Sequence, residues 1–222
     1  MSEPQVKVPK IIFATRNAHK LQEVRAILAH VIPGLDTELI GSAAELGLPE
    51  PVEDGLTFEA NALIKARQIV AATGLPAFAD DSGLCVQVLG EAPGIFSARW
   101  CGHHGDDGAN LDLLLAQLAD VPPEHRQAHF ACAAVLVEPA EAGDERGGAV
   151  TAQRGDIYGT LRYERAGEGG FGYDPIFQPD GDSRTLAEFS AAEKNEVSHR
   201  RRAFEALAPS IAQILERDKR NK

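Results

Sequence analysis

KIIFATRNAHKLQEVRAIL, residues 10–28, reads as a buried strand that delivers a short polar turn onto an amphipathic helix. Ile11, Ile12 and Phe13 form an unbroken apolar run, as expected of a strand covered on both faces. Thr15, Arg16, Asn17, Ala18, His19 and Lys20 interrupt it with polar and small residues. Leu21, Val24, Ile27 and Leu28 then recur at helical spacing. A strand that passes directly into a helix is the opening of an α/β chain.

The same alternation continues outward. Thr57 is placed to cap a helix that runs to about Thr73 and stops at Gly74 and Pro76, with Ala62, Leu63, Ala66, Ile69 and Val70 on one apolar stripe. Asn61 and Lys65, four apart, project from a common face away from much of that stripe. A short strand over 76–79 should lead into the acidic turn Asp80–Asp81–Ser82–Gly83, with another strand over 84–89. Residues 111–118 read as helical, 128–137 as a central strand, and 149–154 as its partner across a surface hairpin, Glu138 to Gly148. Ser190–Ala191–Ala192–Glu193 has the form of a capping box, and a last helix is expected over 203–215 with Pro209 bending it or starting its last section. Without repeats or a linker, the chain is expected to be one α/β domain over 1–222, two-lobed around a mixed sheet. Residues 1–9 read as a flexible extension and 217–222 as a frayed basic tail.

The composition excludes several function classes. No apolar run approaches the ~20 residues needed to span a bilayer, and the polar start lacks a signal-peptide core, so the expected compartment is the cytoplasm. Three widely spaced cysteines with no C-x-x-C pair argue against a disulfide framework and against a structural zinc site. A net charge of −11 repels nucleic acid, whereas a small anionic substrate needs no more than a few cations focused in a cleft.

Four polar clusters fall where α/β proteins place ligands, at strand ends and helix starts. Thr15 to Lys20 would present backbone N–H groups and two cations to a phosphate, although an ordinary strand–helix connection explains the same residues. Asp80 and Asp81 point to opposite faces of a strand; one of them, with an acid from the Glu53 loop, would suit Mg²⁺, or the pair is an Asx-type turn. In Gly169 to Asp174, glycines flank Phe171, so a flat ligand can approach and stack, unless the aromatics pack inward. The fourth cluster joins Lys194 to Ser198–His199–Arg200–Arg201–Arg202, which lines an anion site or forms a solvated face.

Taken together and in order, "FATRNAHKLQEV" (13–24), "EDGLTFEANALIKAR" (53–67), "AFADDSGLCVQVLGEAPGIFSARW" (77–100), "GGFGYDPIF" (169–177) and "AEKNEVSHRRRA" (192–203) closely resemble the Ham1-type family of inosine triphosphate pyrophosphatases. The resemblance implies an elongated fold with the active-site cleft between its lobes, and a homodimer. It also implies Mg²⁺-assisted attack of water at the α-phosphorus of inosine, deoxyinosine or xanthosine triphosphate, which would cleanse the nucleotide pool. By position, it makes Thr15, Arg16, Asn17, Ala18, His19 and Lys20 the phosphate turn, and Glu53 and Asp81 the metal-linked carboxylates. Asp81 is also assigned as proton acceptor. Lys65, Ser82 and Lys194 become triphosphate contacts, Phe171, Gly172, Tyr173 and Asp174 the base turn, and His199 and Arg200 the readers of the purine edge. Asn61 and Arg99 match the pattern without an assigned role.

An aspartate bound directly to Mg²⁺ is a weakened base, so Asp81 either meets the metal through water or shares proton removal with Glu53 or Asp80. Arg16, His19 and Trp100 depart from the commonest residues of the family without removing a key group. The competing readings are a Maf-like pyrophosphatase for other nucleotides and a non-catalytic nucleotide-binding protein.

Overall fold

The computed structural model describes residues 8–49, 51–140 and 148–220, with side chains as far as Arg217 at the C-terminal end. Most of the expected N-terminal extension and the centre of the Glu138–Gly148 connection lie outside the described residues. Six strands form one mixed sheet in the order β2-β1-β3-β4-β5-β6. β1 is Ile11–Phe13, β2 Ile40–Ser42, β3 Ala77–Val86, β4 Gln127–Val137, β5 Val150–Leu161 and β6 Phe177–Pro179. β1 runs parallel to both β2 and β3, with Ile12 opposite Gly41 and Ala77. α1 (Ala18–Val31) and α2 (Phe58–Thr73) supply the crossovers such pairs require. β4 and β5 are antiparallel, since Leu161 N–H bonds the Arg126 carbonyl and Glu138 N–H bonds that of Ala149. β5 and β6 are antiparallel as well. Three further helices are α3 (Asp107–Gln117), α4 (Ala191–Val197) and α5 (His199–Arg220).

The chain divides into two compact units. The first comprises Met1–Asp81, Ala133–Arg154 and Ala203–Lys222, the second Ser82–Cys132 and Gly155–Arg202. In the first, Phe13 stacks on Phe78 with centroids 4.9 Å apart, and Phe204 of α5 meets both rings edge-on. Ile12, Ile69 and Ala77 pack beside them and fix α2 on the sheet. In the second, Leu84, Leu111, Leu114, Phe130, Ile176 and Phe177 make a contiguous core. Arg126 is buried there because its guanidinium donates to the Leu118, Leu161 and Arg162 carbonyls at 2.6–2.9 Å and lies over the Tyr163 ring. Among the described residues no helix is long and apolar enough to cross a membrane.

Several expected boundaries shift. The acidic pair is not a loop between two strands: β3 runs unbroken from Ala77 to Val86 and carries both aspartates at its middle. A buried strand tolerates them because each side chain finds a cationic or amide partner, and 87–89 is then a 3₁₀ turn closed by Gly90 at φ 61°. β5 extends to Leu161 rather than ending near Arg154. α3 starts at Asp107, capped by Asp106. α5 starts at His199, four residues early, and stays helical through Arg220 where a frayed tail was expected; Asn221 and Lys222 lie outside the described residues.

Candidate active site

The first unit builds a phosphate-type turn from local chemistry. Asn17 caps α1, its side chain accepting from His19 N–H at 2.9 Å and Lys20 N–H at 3.2 Å. Thr15 is buried, and its hydroxyl accepts from the Asn17 amide. Arg16, Ala18 and His19 face solvent, while the Lys20 ammonium reaches Asp80 at 3.3 Å. Thr15, Arg16, Asn17, Lys20, Glu53 and Lys65 line one cavity of about 500 Å³. That volume falls within the ~300–1,000 Å³ of small-molecule sites.

At the same unit's end of β3, Asp81 is held from two sides. Asn61, fully buried on α2, donates from Nδ2 to Asp81 Oδ2 at 3.0 Å, and its own Oδ1 accepts from Gly55 N–H at 2.9 Å. The Lys65 ammonium, one turn along, stands 3.1 Å from Glu53 and 3.7 Å from Asp81. Asn61 and Lys65 do share a face, as their spacing predicts, but that face is turned inward. Burial pushes the Asp81 carboxyl above its ordinary value, although Lys65 and the Asn61 hydrogen bond pull the other way. Burial pulls the Lys65 ammonium down, but the Asp81, Asp80 and Glu53 carboxylates outweigh it and hold its pKa above normal. Lys65 is therefore held as a cation, and burial makes the Asp81 carboxylate easier to protonate than a free one.

Glu53 and Asp81 both stand within 4 Å of one ammonium, so a cationic group already lies beside two carboxylates there. An all-oxygen set of this kind, with room left for phosphate oxygens and water, fits Mg²⁺.

The second unit carries the aromatic turn. Gly170 has φ 73°, and a Cβ there would fall 2.2 Å from an Asp174 carboxylate oxygen, so the position admits only glycine. This tightness brings the buried Asp174 carboxylate to the Phe171 amide at 2.7 Å. Lys194 forms an ion pair with Asp174 and places its ammonium 4.4 Å over the Phe171 ring. Phe171 is 62% exposed, with area to stack on a flat ligand. Tyr173 is not part of that surface. It is buried, donates its hydroxyl to the Ser97 carbonyl at 2.9 Å, and so anchors the turn from beneath. The Gly172 amide is bonded to Asp107.

Lys194 sits within α4, whose capping box forms as its sequence predicts, with Ser190 N–H on Glu193 at 2.8 Å. Of the basic run 199–202, Arg202 alone is exposed. His199 stacks on Phe130 at 5.1 Å; Arg200, 4% exposed, extends one guanidinium nitrogen to 3.5 Å from the Ser82 hydroxyl. Arg201 pairs with Glu196, and Arg202 donates to the Asp156 carbonyl. Ser82 thus shares its surroundings with Arg200 of the same unit. Arg99 lies over Phe96 and reaches His104. The sequence reading singled out Asn61 without giving it a role, and did not name Ser97 or Asp107 as supporting groups. The four-residue offset of Asn61 from Lys65 was the one available signal.

Residues 11–210 match the model of the Ham1 family. The chain is 58% identical to a dITP/XTP pyrophosphatase of Streptomyces coelicolor over 93% of this chain and 98% of that protein. A dITP/XTP pyrophosphatase of Mycobacterium bovis is 49% identical over 93% and 97%. Among solved structures, a HAM1 protein from Coxiella burnetii superposes with a TM-score of 0.81 at 36% identity, covering 93% of this chain and all of that one.

Proposed function

The chain belongs to the Ham1 family, and from that premise we propose that it hydrolyses the triphosphates of non-standard purine nucleosides, namely inosine, deoxyinosine and xanthosine, to monophosphate and pyrophosphate. The observation that carries the hydrolytic reading is the Glu53–Lys65–Asp81 cluster with its proton-seeking aspartate. A protein that merely binds nucleotides gains nothing from crowding carboxylates beside phosphates.

In this reading Arg16, His19, Lys20 and Lys65 clamp the triphosphate, which converts a bimolecular encounter into an oriented one. The oxygen of a water molecule attacks the α-phosphorus as the bond to the bridging oxygen breaks, and pyrophosphate leaves with that electron pair. Asp81, oriented by Asn61, takes the proton of the water, and its raised pKa suits that role. Mg²⁺ held by Glu53, with Asp81 meeting it through water, would supply positive charge to the leaving pyrophosphate and make the attacking water more acidic.

In the second unit Phe171 offers base stacking, which contributes ~1–3 kcal/mol. Arg200 is a donor without acceptor capacity, so it pairs with the oxygen at purine position 6 and leaves adenine's amine unmatched. His199 stands next to it, and Lys194 and Ser82 are the further phosphate contacts. The chain acts as a single Ham1 domain, as a homodimer, in the cytoplasm.

The test is product analysis with deoxyinosine, xanthosine, deoxyguanosine and deoxyadenosine triphosphates, with and without Mg²⁺. Monophosphate and pyrophosphate from the first two, abolished by chelation, are expected. Orthophosphate and diphosphate would move the attack to the γ-phosphorus and overturn the mechanism. Turnover confined to pyrimidine nucleotides would favour a Maf-like activity.

A further inference from the structure

The second unit contains a cluster of ligand-type side chains that nucleotide hydrolysis does not use. One donor atom each from Cys85 on β3, Glu91 in the turn that follows and His129 on β4 lies within 4.8 Å of the other two. His129 Nε2 is 3.5 Å from a Glu91 carboxylate oxygen and 3.8 Å from one of Asp156 on β5.

The backbone brings these residues together by reversing sharply at the end of β3. Val86 N–H bonds the Ala92 carbonyl and Glu91 N–H bonds that of Val86, while Cys85 bridges to Pro93. Glu91 adopts φ 73°, a left-handed conformation that costs a non-glycine residue of order 1–3 kcal/mol, so the turn is specified by more than its own preference. Burial is graded across the cluster: Cys85 is buried, His129 largely so, and Glu91 opens to solvent, which leaves an ion a route in.

We propose that Cys85, Glu91 and His129 form a binding site for a divalent ion of the zinc class, with Asp156 beside His129 as a further oxygen donor. A tetrahedral site with metal–nitrogen bonds of ~2.0–2.1 Å and metal–sulfur bonds of ~2.3 Å sets neighbouring donors ~3.3–3.6 Å apart. The His129–Glu91 pair already stands at that spacing, and the cysteine closes the remainder by a small side-chain movement. A thiolate with an imidazole selects zinc-class ions over Mg²⁺, so this site and the all-oxygen Glu53–Asp81 pair differ in the ion they hold. The bound ion ties the turn to β3 and β4 next to the hydroxyl of Ser97, which accepts from Leu84 N–H at 2.9 Å. Ser97 in turn accepts the Tyr173 hydroxyl, so the ion braces the support of the aromatic turn.

The experiment titrates the full-length, reduced, metal-free protein with Co²⁺ alone and then with Zn²⁺ in competition. Stoichiometric Co²⁺ binding with a sulfur-to-cobalt charge-transfer band is expected, displaced by Zn²⁺ but not by excess Mg²⁺. Cys85→Ser should abolish the band, while Cys101→Ser, which removes the one thiol of the three that is not buried, should retain it. Glu91→Gln alters a solvent-facing side chain and leaves the fold intact; with His129→Gln, it should weaken Zn²⁺ affinity about 10-fold or more. Absence of the band, its loss in Cys101→Ser, or Zn²⁺ affinity unchanged in Glu91→Gln and His129→Gln would each overturn the proposal.

Discussion

Asn61 donates to Asp81 at 3.0 Å with one end of its amide and accepts from Gly55 N–H at 2.9 Å with the other. Both partners of a fully buried amide are therefore satisfied, and the orientation of the Asp81 carboxylate is fixed from α2 rather than from its own strand. The loop carrying Glu53 ends at Gly55, so the same amide also fixes how that loop enters α2.

Replacing Asn61 by Ala removes one hydrogen bond from the Asp81 carboxylate and one from the Gly55 amide. A loss of about 1–3 kcal/mol of stability is expected, since both hydrogen bonds of a buried amide are lost at once. The kinetic signature should be a fall in kcat with little change in KM, because Asn61 orients Asp81 and does not bind nucleotide. Denaturant unfolding and steady-state pyrophosphate release measure the two effects, and a KM change alone would remove the orienting role.

Asp81→Asn keeps the shape and the contact with Asn61 but deletes the proton acceptor. Turnover of deoxyinosine triphosphate should drop about 10²- to 10⁴-fold, the usual contribution of general base catalysis. Calorimetric binding of the nucleotide should survive within a few-fold in order of magnitude, because the cations of the first unit remain. A variant as fast as the parent would mean that proton removal belongs to another group.

Arg200→Ala should erode selectivity more than phosphate affinity. The ratio of kcat/KM for deoxyinosine over deoxyadenosine triphosphate is expected to fall at least ~10-fold, as when a site loses a polar group matched to its substrate. Equal loss on both purines would assign Arg200 a structural role, a result its burial and its contact with Ser82 make worth measuring.

Burial drives the Tyr173 phenol upward, helped by the neighbouring Asp107 and Cys101. Its folded pKa therefore lies above the unfolded value of 10.0, so the contribution of this group to stability is complete below pH 10.0 and declines as pH rises toward the folded value. Alkaline unfolding should accordingly expose a phenolate signal that Tyr173→Phe lacks. That variant should also lose about 1 kcal/mol at neutral pH, because the Ser97 carbonyl loses its donor. Ionisation of Tyr173 before unfolding would contradict the burial.

Legibility in the sequence followed the range of the forces involved. Thr57 and Gly74 bound α2 and Ser190–Glu193 opens α4, as read from the chain, because a cap is decided among residues three or four apart. The acidic pair of β3 was misplaced in a loop because its neutralising partners, Lys20 for Asp80 and Lys65 with Asn61 for Asp81, are distant in sequence.

The sequence by itself determined the strand–turn–helix opening, the apolar faces, the glycine turn around Phe171 and the family to which the chain belongs. The tertiary structure decided which charges meet. It paired Lys194 with Asp174, turned Tyr173 from a candidate ligand contact into an anchor on Ser97, and gathered Cys85, Glu91 and His129 from spacings that resemble no metal motif. Sheet register sets those meetings, and a buried charge or polar group is stable where the register supplies its partner.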